Sequence, residues 1–377
     1  MGVVHSITIR VLLEKKPIEE TMLWNISARK ADGFIIQAWA NEQQKHEILA
    51  QRLEIANKQG CLYINGKKVK TDKVIIRPLR SDGYLSVNER VYPGLLILLH
   101  DEHAWYLINK LDLESYVYCV LRWEGRPDWA DEVNKVFSIV FRTYAVHKMI
   151  GSQKLRKRGK KVLYDIKCTN AHQTYNGLHE YTNMYDIVKS TEGLVITYNK
   201  VPINAMYDIC CGGIIPALMQ GFDFHDSPYL ARRYPCTYCN SCRVYQWEAV
   251  YENQELSKIV ALYKNSADVE PIRNIVVSRF DKAGLVQELK VYYDKMCATL
   301  SAKQLYSIFT KIKSLTFTVN RRGNNFVFSG KGIGHQCGMC QCAVPVMIKK
   351  GFDCCHVLQF YYPSTALMKV VSQLTGA

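Results

Sequence analysis

Leu113-Glu-Ser-Tyr-Val-Tyr-Cys-Val-Leu-Arg-Trp123 carries its apolar residues at helical spacing. What precedes it does not. The first hundred residues alternate short β-branched or aromatic runs with turn signals such as Asn65-Gly66 and Asp82-Gly83. That pattern predicts strands at Ile7–Leu13, Gly33–Ala40, Cys61–Ile64, Val74–Pro78, Tyr84–Val87 and Leu95–His100. The change of period after Trp105 therefore marks a boundary between two parts, 1–105 and 106–377. Working outward, Asp131–Ile150 reads as a second helix behind Asp128-Trp129. Strand patterns resume at Leu194–Tyr198, Ile203–Ile209, Ile275–Ser278 and Glu288–Tyr293, the last two bracketing an Asp281–Gly284 turn. A helix over Val344–Lys349 closes the chain. Helices and strands in separate blocks predict an α+β fold, a β-rich N-terminal part packed on a mixed helix and strand core with a central cleft.

The chain has 377 residues and 48% apolar content, enough for one large core or two smaller ones. No apolar run reaches the roughly 18 residues that span a bilayer, and the first residues lack a signal-peptide pattern. Forty-nine Lys and Arg against 34 Asp and Glu leave a net charge of +15. That balance favours polyanionic neighbours: nucleic acid, anionic lipid or acidic wall polymers. The densest basic run, Lys154–Lys161, reads as an exposed loop without aromatic residues for base stacking, so nucleic acid is not an expected partner.

Fourteen cysteines fall in tight groups. Cys210-Cys211 precedes Cys236-x-x-Cys239-x-x-Cys242, and Cys337, Cys340, Cys342, Cys354 and Cys355 follow later. Two-residue spacing lets both sulfurs of a turn face one ion. The expected metal ligands are Cys211, Cys236, Cys239 and Cys242, holding a structural zinc. A disulfide among the same thiols is the competing reading in an oxidising compartment.

Two segments carry candidate chemistry. Glu124 follows the apolar helix Leu113–Trp123, flanked by Trp123 and Gly125. A carboxyl beside an indole in a partly dry cleft favours its neutral form, and a neutral carboxyl can donate to a glycosidic oxygen. Gly330-Lys-Gly-Ile-Gly-His-Gln-Cys-Gly-Met-Cys-Gln341 presents His335 and Gln341 among glycines that let backbone pass close to backbone or ligand. Arg142 and Tyr144 on the second helix, with Gln173, Tyr175 and Tyr207, add a cation and polar-tipped groups suited to a carbohydrate.

These segments, in this order, resemble the SpoIID (stage II sporulation protein D) family of bacterial peptidoglycan lytic transglycosylases, which includes amidase enhancers. Leu113–Glu124 is similar to the family's L-E-D-Y-V-x-G-V-V-x-x-E-M, whose last Glu is catalytic. Arg142-Thr-Tyr-Ala145 is like A-R-T-Y-A, and Gln173-Thr-Tyr-Asn-Gly177 is like Q-x-Y-x-G. Ala205–Gly213 is like A-x-Y-x-S-x-x-G-G, Gly334–Gln341 is like G-H-G-V-G-M-S/C-Q, and Phe360–Thr365 is like Y-Y-P-G-T. Departures are Gln336 where the family has Gly, Gly125 where it has Met, Ala343-Val344 for Gly-Ala, and Ile214-Ile215 where zinc-bearing members have a histidine.

The resemblance implies cleavage of the β-1,4 bond between N-acetylmuramic acid and N-acetylglucosamine with formation of a 1,6-anhydro ring. Glu124 would be the catalytic acid and base. Arg142, Tyr144, Gln173, Tyr175, Tyr207, His335 and Gln341 would line the glycan cleft. It also implies an extracytoplasmic location and, as partners, peptidoglycan glycan strands and a cell-wall amidase. A non-catalytic glycan-binding or amidase-stimulating wall protein is the alternative.

Overall fold

The computed structural model describes residues 7–30, 32–40, 43–58, 60–266 and 268–370. They form two compact units. One takes residues 1–204 with 367–377, the other residues 205–366. Helices and several sheets together give the expected α+β class. Among the described residues, no helix is long and apolar enough to cross a membrane.

The first unit is organised around the strand Ala104–Asp112, whose side chains are buried on both faces along most of its length. It pairs antiparallel with Thr8–Pro17 on one side and Leu95–His100 on the other, inside a seven-stranded sheet. A second, six-stranded sheet contains Met22–Arg29, Arg52–Lys58, Cys61–Ile64 and Tyr84–Val87. Most strands expected before residue 105 stand within a residue or two of their predicted bounds. Met22–Arg29, Gln43–Ala50, Arg52–Lys58, Lys67–Val69, Arg90–Pro93 and Ala104–Asp112 were not expected.

Asp112 ends the central strand and starts a helix. Its carboxylate accepts from the Ser115 N–H at 2.9 Å, capping α1, Leu113–Glu124. Helix α2, Asp131–Lys157, is buried almost all round between Val133 and Val146, as its run Val136-Phe-Ser-Ile-Val-Phe141 requires. It packs on α1, on α3 (Asn183–Ser190) and on the strand Leu194–Tyr198. Fully burying each of Val136, Phe137, Val140 and Phe141 contributes about 1.5–3 kcal/mol. The basic run at 154–161 is only partly a loop. Lys154–Lys157 form the last turn of α2, where cations offset the negative helix end.

The second unit holds two three-stranded sheets. One pairs Gln246–Glu252, Asn325–Lys331 and Phe317–Arg322; the other pairs Asn274–Phe280, Val286–Tyr292 and Cys297–Ser301. The expected strand at Ile203–Ile209 shrinks to Tyr207–Asp208, which pairs in parallel with Met339–Cys340. That short ladder organises the second set of site residues.

Candidate functional site

The residues singled out in the sequence divide between the units. Glu124, Arg142, Tyr144, Gln173 and Tyr175 lie in the first; Tyr207, His335, Gln341 and the clustered cysteines lie in the second.

Glu124 is the last residue of α1 and is half-buried. Gly125 closes the helix tightly, its N–H on the Leu121 carbonyl at 2.9 Å. A Cβ there would sit 2.6 Å from that carbonyl, so the departure from methionine has a local steric reason. The loop beyond is fixed by Asn134 of α2, whose Nδ2 donates to the carbonyls of Arg126 at 3.0 Å and Trp129 at 3.3 Å.

The Glu124 carboxylate accepts the Thr174 N–H at 2.6 Å. Two buried tyrosines feel its charge. Burial first, and then Glu124, push the Tyr144 hydroxyl up to about 12 and the Tyr116 hydroxyl well above its ordinary value. Trp123 does not supply the apolar wall expected of it: the residue is 45% exposed, with the Arg122 guanidinium over its ring. The tyrosines take that role.

Gln173 and Tyr175 are turned into the core. Both are buried, Gln173 accepting from the Tyr116 hydroxyl at 3.0 Å and Tyr175 donating to Asn109 Oδ1 at 2.5 Å while stacking on Tyr116. Alternation along extended chain explains this. With 173 and 175 turned inward as anchors, residue 174 between them is half-buried and brings its peptide N–H to Glu124. Thr174 was missed in the sequence, although the period of two pointed to it.

Arg142 requires a firmer correction. Its side chain is fully buried and bonded to Glu114, with Nε–Oε1 at 2.9 Å and Nη2–Oε2 at 2.6 Å. Its remaining donors reach the carbonyls of Ser138, Val188 and Leu194 and the Thr191 hydroxyl. Every arm of the guanidinium is used on protein groups, so Arg142 is a brace between α1, α2 and α3 and does not line a cleft. Glu114 and Glu124 stand ten residues apart on α1, about 15 Å along its axis, so one arginine cannot serve both.

In the second unit, the glycines act as expected at two positions. Gly338, at φ +82°, lies against the Met206 carbonyl with no room for a Cβ. At Gly334, φ +115°, a Cβ would stand 2.6 Å from the Asp208 side chain. This close packing sets His335 beside Asp208, Nδ1 to Oδ2 at 3.9 Å. The His335 Nδ1 accepts the Cys337 N–H at 3.1 Å, and burial lowers the imidazole pKa, which favours the neutral ring. Burial, and then the neighbouring Cys211, push the Asp208 carboxyl well above its ordinary value. Tyr207 is half-buried on its strand, and Gln341 is buried with its N–H on the Asp208 carbonyl at 2.9 Å.

Gln336 replaces a family glycine yet keeps the glycine conformation, φ +63°. Its side chain offsets that strain with three bonds: it accepts from Thr316 Oγ1 at 2.7 Å and donates to the carbonyls of Cys211 at 3.1 Å and Lys331 at 3.2 Å. Gln336→Ala is expected to destabilise the protein by about 2–3 kcal/mol, keeping the strain and losing the bonds. Gln336→Gly is expected to cost about 1 kcal/mol less, because it relieves the strain. Urea midpoints of the two variants check the order.

The cysteines assemble, with one change of membership. The sulfurs of Cys211, Cys236, Cys239 and Cys340, all buried, lie within 4.8 Å of one another. Cys340 thus takes the place expected for Cys242, whose sulfur instead meets Cys342 at 2.6 Å. The cause is the Tyr207–Met339 ladder, which lays Cys340 beside the Cys210-Cys211 turn, with the Cys211 N–H on its sulfur at 3.3 Å. Four thiolates around a zinc ion at about 2.3 Å stand about 3.8 Å apart. The observed 3.8 Å for Cys211–Cys239 and 4.0 Å for Cys236–Cys239 fit that ion. The closing aromatic pair braces the site: the Tyr361 hydroxyl touches the Cys236 sulfur at 3.2 Å, and the Tyr362 hydroxyl donates to the Met206 carbonyl at 2.7 Å.

Comparison with known proteins matches residues 101–198 to the family described as SpoIID, stage II sporulation protein, and residues 237–338 to a domain of unknown function, DUF8618. An uncharacterized protein of Brachyspira hyodysenteriae is 27% identical over 339 residues, 88% of this chain and 84% of that one. Stage II sporulation protein D of Bacillus subtilis is 21% identical over 276 residues, 69% of this chain and 75% of that one. The amidase enhancer of Bacillus subtilis is 24% identical over 292 residues, 65% of this chain and 39% of that one. The first match spans the Glu124 constellation whole, from the central strand through Leu194–Tyr198. By its motifs, their order and these relatives, the chain belongs to the SpoIID and amidase-enhancer family.

Proposed function

We propose that this protein is a peptidoglycan lytic transglycosylase, acting outside the cytoplasmic membrane in cell-wall remodelling. The observation that carries the reading is the setting of Glu124: one carboxyl at a helix end, oriented by a backbone N–H and framed by Tyr116 and Tyr144. Hydrolysing glycosidases generally need two carboxyl groups. A transglycosylase needs one, because the sugar supplies its own nucleophile. Glu124 gives its proton to the leaving C4 oxygen of N-acetylglucosamine as the bond to muramic C1 breaks. The resulting carboxylate takes the proton of the muramic C6 hydroxyl while that oxygen bonds to C1, which restores the acid. The Thr174 N–H holds the carboxyl in orientation through both transfers. His335 and Tyr207 are read as glycan-facing groups, and the net positive charge favours the anionic wall.

The zinc ion that the four buried thiols suit would be structural. Cys211, Cys236, Cys239 and Cys340 fill a tetrahedron and leave no position for a water, so the ion would hold the turn after Tyr207 and take no part in bond cleavage.

Digestion of purified glycan strands followed by mass spectrometry tests the activity. Products ending in 1,6-anhydromuramic acid, lighter by one water than hydrolytic ends, are expected. Reducing ends would mean an ordinary muramidase. Binding without cleavage, with stimulation of a wall amidase, would favour the non-catalytic reading that the amidase-enhancer relative suggests.

A further inference from the structure

Two half-buried thiols follow members of the four-sulfur set closely in sequence without belonging to it. Cys242 comes three residues after Cys239, and Cys342 two residues after Cys340. Both are pinned by their backbones. The Cys242 N–H lies on the Cys239 carbonyl at 3.0 Å, and the Cys342 N–H lies on the Ile209 carbonyl at 3.0 Å. Their sulfurs are thereby held against each other at 2.6 Å. Ligands of one tetrahedral zinc stand about 3.8 Å apart, which is the spacing of Cys211 and Cys239, 3.8 Å. The Cys242–Cys342 contact is too close for two ligands of a common ion, and a small side-chain rotation brings it to bonding distance.

We propose that Cys242 and Cys342 form a disulfide, while Cys211, Cys236, Cys239 and Cys340 keep their thiolates for the metal. Zinc and disulfide, rivals for these cysteines in the sequence, are then divided among them. Burial makes the division. The four ligands are buried, whereas Cys242 and Cys342 are partly exposed and open to an oxidant. That oxidant is itself a disulfide, carried by a small molecule or by a thiol–disulfide oxidoreductase. One thiolate of the pair attacks it and expels a thiolate, leaving a mixed disulfide on the protein. The second thiolate attacks the protein sulfur of that bond and expels the other half. Two S–H bonds are lost and one S–S bond forms, both electrons and both protons passing to the oxidant as two thiols. The pairing rests on the geometry. Its formation in the cell rests on the proposed extracytoplasmic location, where such oxidants are at work.

The bond ties together two stretches that each carry a metal ligand. Cys239 and Cys340 lie far apart in the chain, and the ion is what gathers their sulfurs. A crosslink a few residues beyond each of them holds both in place when the ion leaves. It also closes a loop of 100 residues, and a long closed loop stabilises the fold chiefly by restricting the unfolded chain. The disulfide is thus a second clamp on the turn that the metal holds.

The test uses the full chain, purified with reductant and zinc but without chelator, then moved into buffer with glutathione disulfide in excess over glutathione. Alkylation without reduction, digestion and mass spectrometry should find one cross-linked peptide pair, Cys242 with Cys342, alongside about one zinc per chain. Reductant should return the pair as two alkylated thiols with the zinc still bound. Cys242 and Cys342 both alkylated after oxidation, or either of them joined to Cys211, Cys236, Cys239 or Cys340, overturns the proposal. So does a zinc content that falls in the Cys242→Ser/Cys342→Ser double variant, because those sulfurs would then be ligands. In the oxidising buffer the wild type should melt about 5–15 °C above that variant, and reductant should close the gap. Equal midpoints in both buffers overturn the clamp. A variant that fails to fold leaves the peptide map of the wild type to decide. None of these readouts involves glycan cleavage, so the proposed activity can fail while the disulfide stands, and the reverse.

Discussion

Glu124→Gln is expected to lower the release of 1,6-anhydromuramyl products by about 10²–10⁴-fold, the range a positioned general acid and base supplies. That is about 3–5 kcal/mol of transition-state stabilisation. The amide is nearly isosteric, and its oxygen can still accept the Thr174 N–H that now reaches Glu124 at 2.6 Å. Folding should therefore be intact, with a thermal midpoint within a degree or two of wild type. What the amide lacks is an acidic proton to give the leaving oxygen and a basic oxygen to take one back. Both halves of the reaction fail together, so raising pH or substrate concentration should not restore the rate. Residual cleavage within a few-fold of wild type would remove Glu124 from the chemistry. The anhydro ending would then need another acid.

Reading the sequence located the elements better than the directions of their side chains. Helix α1 to within a residue, the turn at Asp281–Gly284 and several N-terminal strands follow from local periodicity and turn residues, which act within a few positions. The strand Ala104–Asp112 escaped because both its faces are buried, so it lacks the alternation of a half-exposed strand. Motif order brought the candidate residues to notice, yet it says nothing about facing. The polar ends of the candidates Gln173 and Tyr175 are turned into the core, on Tyr116 and Asn109. Cys340 lies a hundred residues from Cys239, and only the pairing of Tyr207 with Met339 brings it in. Spacing arguments favour Cys242 because they see neighbours along the chain and cannot see that ladder.

Arg142 is where the two roles, ligand for a glycan and brace for the fold, give opposite results on substitution. Its guanidinium is buried, holds the Glu114 carboxylate with paired bonds and reaches the carbonyl of Ser138 in its own helix and those of Val188 and Leu194 in neighbouring elements. Removing one partner of a buried ion pair costs about 3–5 kcal/mol, because the other charge is left without compensation. Arg142→Ala should therefore lower the urea midpoint by that equivalent, a large part of the total stability of a domain. Arg142→Lys should recover only part of it, since a single ammonium cannot reproduce the planar fork. Glu114→Gln keeps a hydrogen-bonding partner and should cost less. In a double-mutant cycle of Glu114→Ala and Arg142→Ala the double variant should be less destabilised than the sum of the singles. Activity should fall only as the folded fraction falls, with KM unchanged for the folded enzyme. A glycan-binding arginine would do the reverse, raising KM at full stability, and that result would return Arg142 to the cleft. The stability result would instead assign the family's A-R-T-Y-A segment two duties one helical face apart: Arg142 fixing the start of α1, and Tyr144 meeting the charge of Glu124 at its end.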